Sequence, residues 1–250
     1  FAEKISKSGT QPIIGSQINF IIDGVIGKLP IFATNEVGYK NLTKLSSKSY
    51  LDGNSTLEPH CKIDDLCQEN EGLLILSGNQ FDLFGKLFKL NKLQLIEKNI
   101  KNLKKTFNDK FYLEIQRHNE REEKNFEIYL INLSLKYNLP LIASQEVYYL
   151  QKNMAEAHDA LMCIGEKAFV DDPKRKRFND QHFIKSNDEL NLIYGDIPEA
   201  LKNNYNFPYR FNFKPKKSHP ILPSIKTLNN TSVSSELMNL AKNGLNKRLK

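Results

Sequence analysis

A chain of 250 residues is long enough for one large domain, or for one domain and the start of a second. With 40% hydrophobic and 26% charged residues it has the balance of a soluble globular protein. No apolar run approaches the roughly 18–20 residues that span a bilayer, so no membrane partner is expected. The formal charge of +7 admits an anionic partner such as nucleic acid, although an AT-rich coding bias toward Lys, Asn and Ile gives the same balance. Cys61, Cys67 and Cys163 are too few and too scattered for a disulfide framework, and reduced thiols in a cytoplasm are expected.

No secretory signal opens the chain, which starts without Met and stops inside a helical pattern (Leu237, Ala241, Leu245, Leu249), so both ends are expected to be cut. Residues 1–8 read as the end of a helix capped by Gly9, and residues 11–23 as a strand with Pro12 at its start, where a missing N–H is harmless. Residues 24–27 read as a turn and 28–33 as a second strand. A helix starting at Gly38 places Leu42 and Leu45 on one face and runs toward Asp52-Gly53; residues 54–60 are a polar loop. Residues 63–69 form a short helix with Asp64 and Asp65 in its first turn, where negative charge is favoured. Residues 72–77, GLLILS, are a buried strand, Gly78-Asn79 turns the chain, and residues 81–89 and 90–107 are helices, the second with lysines on a solvated face.

A βαβ unit follows. Phe111–Gln116 alternates and is aromatic; Asn119 and Glu122 have the spacing of an N-cap pair; Phe126, Leu130, Leu133 and Tyr137 recur at helical spacing. Asn138, suited to a left-handed cap, and Pro140 end that helix, and Leu141-Ile142-Ala143 is a short strand of the buried parallel type. A shorter helix over 154–164 leads into the basic loop 171–177. Then come a helix capped at Ser186, a helix opened by Pro198, a strand over 208–213 and a Pro-, Lys- and Ser-bearing linker over 214–230. Strands alternating with helices predict an α/β fold with a largely parallel sheet. The few strands before Leu150 do not suffice to close a barrel.

Chemistry is harder to read. His60, His118, His158, His182 and His219 stand alone, and Cys61 and Cys67 lie outside finger spacing. His158 is a ligand or general base, or, as favoured here, a half-buried structural histidine. Glu114 and Glu146 at strand ends have the placement of a carboxylate pair that any α/β protein can show, and Arg117-His118 is equally ambiguous. Lys174, Arg175, Lys176 and Arg177 could contact a phosphate backbone, or form a solvated loop partly neutralised by Asp171 and Asp172. No phosphate loop and no Gly-x-Ser-x-Gly elbow is present.

Several stretches taken together carry a resemblance: QPIIGSQINF, GYKNLTKLSSKSYLDG, EGLLILSGN, FYLEIQR, LPLIASQEVYYL, AHDALMCIGE, VDDPKRKRF and IPEAL. In this order the chain resembles the bacterial replicative (C-family) DNA polymerase III α subunits, in their polymerase-and-histidinol-phosphatase (PHP) domain. The resemblance implies an incomplete PHP-type distorted (β/α)7 barrel lacking its N-terminal strands over residues 1–213. A linker and the first helix of a polymerase palm would follow over 214–250. Metal-binding members carry Glu, His and Cys where this chain has Gln17, Lys28 and Asn79, and Asn-Asp-Val-His where it has Gln145-Glu146-Val147-Tyr148. Neutral amides, a cation and a phenol offset little of a divalent ion's dehydration, which leaves Glu146 as the one ordinary hard ligand.

The resemblance therefore implies a part of a DNA-directed DNA polymerase with no catalytic residue, metal or cofactor in these 250 residues, the parent enzyme using Mg2+ in a palm beyond Lys250. Its partners would be DNA, deoxynucleoside triphosphates, a proofreading exonuclease subunit, the sliding clamp and other holoenzyme subunits in the cytoplasm. The alternatives are a PHP domain retaining metal-dependent 3′–5′ exonuclease or phosphoesterase activity, and a stand-alone PHP-like binding protein. An incomplete barrel is also expected to leave a sheet edge open and to fold poorly alone.

Overall fold

The computed structural model describes all residues except 52–55, 218, 219, 221, 223, 225, 226, 228–230 and 250. The end of the helix at Asp52-Gly53, part of the 54–60 loop, much of the 214–230 linker and His219 therefore lie outside the described residues. In chain order the elements are α1 (Ala2–Lys7), β1 (Ile14–Ile22), β2 (Val25–Ala33), α2 (Glu36–Leu51), β3 (Cys61–Lys62), α3 (Ile63–Gln68) and β4 (Leu73–Leu76). They continue with α4 (Leu83–Lys89), α5 (Leu93–Phe107), β5 (Phe111–Gln116), α6 (Glu123–Tyr137), β6 (Leu141–Ser144), α7 (Ala155–Glu166), α8 (Asn187–Tyr194), α9 (Pro198–Asn206) and α10 (Val233–Arg248). Two compact units result, Phe1–Pro215 and Lys216–Lys250; the second contains α10, with Ser232 as its N-cap.

The sheet of the first unit runs β3-β1-β2-β4-β5-β6. It is mixed rather than largely parallel: β1–β2 and β2–β4 are antiparallel, whereas β1–β3, β4–β5 and β5–β6 are parallel. The departure comes from Asp23-Gly24, which take φ of 49° and 77° and close a two-residue hairpin, so β2 begins at Val25 and not at residue 28. Three further readings change. The N-cap of α6 is Glu122, in the left-handed region, and Asn119 also has positive φ. Residues 208–213 form no strand; a 3-10 turn over Phe207–Arg210 puts Phe207 and Phe211 against the sheet. Cys61–Lys62 add a two-residue strand too short to show alternation.

Period-two alternation sorts the sheet into two chemistries. Phe20, Leu29, Ile31, Leu73, Ile75, Phe111, Leu113 and Ile115 face one way and form the main core with Leu45, Phe84, Ile96, Ile100 and Leu130 of the helices. On the other face Leu74, Leu76, Tyr112 and Ile142 make a smaller cluster closed by Phe211. Above that cluster the same face turns polar. The edge of β6 is occupied: Asn203 of α9 donates to the Leu141 carbonyl at 2.6 Å, and Asn204 to the Ala143 carbonyl. Amide side chains thus satisfy acceptors that an open edge would offer to another strand.

Candidate functional site

The polar half of the second face opens into a cavity of about 510 Å³. Gln17 and Asn19 enter it from β1, Lys28 from β2 opposite Asn19, Glu114 and Gln116 from β5, and Glu146 and Tyr148 from the segment after β6. Asn79 and Asp82 reach it from the turn before α4, where Gly78 holds φ of 78° and a Cβ would lie 2.7 Å from the Asp82 side chain. All five positions singled out by resemblance (Gln17, Lys28, Asn79, Glu146 and Tyr148) therefore line one cavity. So do Lys176 and Arg177, but not Lys174 and Arg175. The Arg175 guanidinium is engaged with both carboxylate oxygens of Asp159 on α7, and the Lys174 N–H donates to Asp172 at 2.9 Å.

Seven carboxylates line this space, and three of them, Asp82, Glu114 and Glu146, act on one another. Burial pushes the Asp82 carboxyl up to about 6; the nearby Glu146 adds to the rise, and Lys28 and Lys86 oppose it. Asp82 accepts the Asn79 N–H at 2.9 Å. Glu114 is raised by burial too, against hydrogen bonds received from Ser144 Oγ and from Gln116 at 2.9 Å. Its second oxygen, Oε2, has no partner among the described residues.

Two imidazoles hold Glu146 by its backbone. Glu146 N–H donates to His118 Nε2 at 3.1 Å, which places the His118 proton on Nδ1, 3.6 Å from Glu123. His182 Nδ1 lies 3.0 Å from the Glu146 carbonyl, which can only accept, so His182 donates there. The rings stack at 4.3 Å and 9°, and burial together with His118 lowers the His182 pKa, favouring a neutral His182. Tyr148 and Phe178 extend the wall, Tyr148 lying 5.1 Å from both His182 and His158. His158 makes ring contacts with Tyr148 and Tyr149. Arg117 also works structurally: it binds Glu127 at 2.6 Å and Asp196 at 2.6 Å, and its N–H donates to the Tyr194 hydroxyl.

Asp82 and His182 are the functional-looking residues that sequence reasoning passed over. Asp82 sits in a turn spanned only by local spacing. His182 meets His118 and Glu146 from a loop far along the chain, which no spacing rule connects.

A divalent metal, which the PHP resemblance brings to mind, does not fit this donor set. Gln17 and Asn79 bring uncharged amides, Lys28 a cation, and His118 spends its acceptor nitrogen on a backbone N–H. Among the described residues no group of three or more His, Cys, Asp and Glu side chains is placed to hold a metal ion.

The mixed α/β fold of the first unit agrees with the comparisons. A family model described as PHP domain matches residues 1–118. Over nearly its whole length the chain is similar to bacterial DNA polymerase III α subunits. It is 34% identical over 252 residues to DNA polymerase III subunit alpha of Caulobacter vibrioides, covering 97% of this chain and 22% of that protein. To the same subunit of Rickettsia bellii it is 34% identical over 250 residues (100% and 21%), and to that of Escherichia coli strain K12 30% over 246 residues (97% and 21%). The chain thus spans about a fifth of the length of the curated relatives it matches.

Proposed function

We propose that this chain is part of a replicative DNA-directed DNA polymerase in the cytoplasm, and that its PHP cavity is a metal-free structural and docking module. Identity running from end to end of the chain to DNA polymerase III α subunits is the observation that carries this reading. Template-directed transfer of deoxynucleotides, with Mg2+ in a palm that begins within residues 214–250, belongs to the parent protein. Its partners are DNA, deoxynucleoside triphosphates, the sliding clamp and a proofreading exonuclease acting in trans. The donor chemistry supports the metal-free half: acceptor groups are turned to backbone or buried, and Lys28 stands where a ligand would. Full-length protein should extend a primed template and should not remove 3′ nucleotides from it. Measured 3′–5′ exonuclease activity that disappears on Glu146→Gln substitution would establish a retained phosphoesterase instead. Failure to extend the primer would favour a stand-alone binding protein.

A further inference from the structure

Outside the cavity, the positive charge of the first unit is unevenly compensated. On α2 each lysine meets a carboxylate: Lys40 with Glu36 at 3.2 Å, Lys44 with Glu69 at 3.1 Å and Lys48 with Asp65 at 2.8 Å. On α5 the exposed face is Gln94, Lys98, Lys101, Asn102 and Lys105, while Ile96, Ile100, Leu103 and Phe107 turn inward. That face carries no acid. Lys98 and Lys105 make no ion pair among the described residues, and Lys101 rests over the Tyr137 ring at 5.3 Å and interacts with Glu97 through charge alone. The one carboxylate of the helix, Glu97, is taken by Lys136 at 2.8 Å and by the Tyr137 hydroxyl. Lys104 donates to the Tyr137 carbonyl, and Asp109 beyond the helix is paired with Arg210.

Lysines three and four residues apart repel one another and weaken a helix, an arrangement that α2 relieves and α5 retains. With a rise of about 1.5 Å per residue the three ammonium stems are spaced by about 4.5 and 6 Å along the axis. Phosphates on one strand of a duplex follow at about 3.4 Å of axis per step, within reach of flexible lysine arms. We propose that the outer face of α5, through Lys98, Lys101 and Lys105, is a sequence-independent contact for the phosphate backbone of nucleic acid. The exposed residues of α5 include no aromatic side chain to read a base, and the nearby Tyr137 ring is covered by Lys101, so charge and spacing are what is recognised. This places the backbone contact away from the cavity and from the 174–177 loop, whose Arg175 is already bound to Asp159.

The test compares the full-length protein with a Lys98→Gln/Lys101→Gln/Lys105→Gln variant and a Lys40→Gln/Lys44→Gln/Lys48→Gln variant, which loses the same charge from α2. Binding to a fluorescent random-sequence duplex is measured by anisotropy across a salt series, with a polyglutamate competitor in parallel. The α5 variant should bind at least tenfold more weakly at low salt, and its slope of log K against log salt should be shallower by about 2 to 3. The α2 variant should keep the wild-type slope, and both variants should unfold within about 2 °C of wild type, showing that α5 still folds. Equal losses in the two variants, or no change of slope in the α5 variant, would overturn the proposal. So would an α5 substitution that abolished polyglutamate binding but left DNA binding intact, since the face would then serve an acidic protein.

Discussion

At the scale of single residues, the cavity is built from groups that cost stability. Asp82 holds its proton up to about pH 6 in the fold but only to about 3.9 in an unfolded chain. Between those values the folded state binds more protons, so this group's contribution falls as pH rises and stays lost at neutral pH. The loss amounts to at most about 3 kcal/mol by the pKa difference. Asp82→Asn, which keeps an acceptor for the Asn79 N–H, should therefore raise stability by about 1–3 kcal/mol at pH 7 and leave it nearly unchanged at about pH 4. Urea denaturation at the two pH values checks this; a destabilisation of equal size at both would contradict it. Tyr194 is the opposite case. Its hydroxyl receives Arg117 N–H at 2.9 Å and Gln145 Nε2 at 2.7 Å, and donates to the Ser144 carbonyl at 2.9 Å. Tyr194→Phe leaves those groups unpaired in the interior and should cost about 2–3 kcal/mol by the same assay, a loss below about 0.5 kcal/mol arguing against the bridge. Neither effect was legible beforehand, because each depends on partners brought together from distant parts of the chain. That Gln17, Lys28, Asn79 and Tyr148 lie near one another was legible only through family resemblance, since nothing in their own spacing marks a shared cavity.

Among elements, the legible ones have strong local signals. Phe111–Gln116 alternates and is bounded as expected, Asn138 takes the left-handed cap at φ of 48°, and Ser186 caps α8 by receiving Glu189 N–H at 3.3 Å. The Asp-Gly pair at 23–24 is a strong hairpin signal that a reading weighted toward parallel strands overlooked. Residues 208–213 alternate like a strand, yet Phe211 is used to close the small cluster under the cavity. The open edge expected of an incomplete barrel is blunted, because α9 lays Asn203 and Asn204 along β6 and β3 is only two residues long. Asn203→Ala/Asn204→Ala should free two edge carbonyls, lowering the thermal midpoint by several degrees and promoting association visible by light scattering. A variant as monomeric and as stable as wild type would show that the amides do not guard the edge. Gly38 fixes another junction: a Cβ there would lie 1.9 Å from the Gly72 carbonyl oxygen. Gly38→Ala should accordingly destabilise by more than about 2 kcal/mol, measured by denaturant midpoint, whereas a neutral effect would mean that α2 can slide on β4.

For the molecule as a whole, the sheet separates work between its faces. One face is an apolar core under helices; the other carries a short apolar plug and, above it, a cavity lined by carboxylates, amides and lysines. The Glu146 carboxylate faces the cavity while its backbone is clamped by His118 and His182. The central claim is that this cavity does not take up a divalent metal. It is tested most directly by elemental analysis of full-length protein purified without chelator, with calorimetric titration of Mn2+ and Zn2+ into an Asp82→Ala/Glu114→Ala/Glu146→Ala variant and into wild type. The account predicts no metal above trace in the purified protein and no difference in heats between the two. Stoichiometric metal that is lost with the three carboxylates would contradict it.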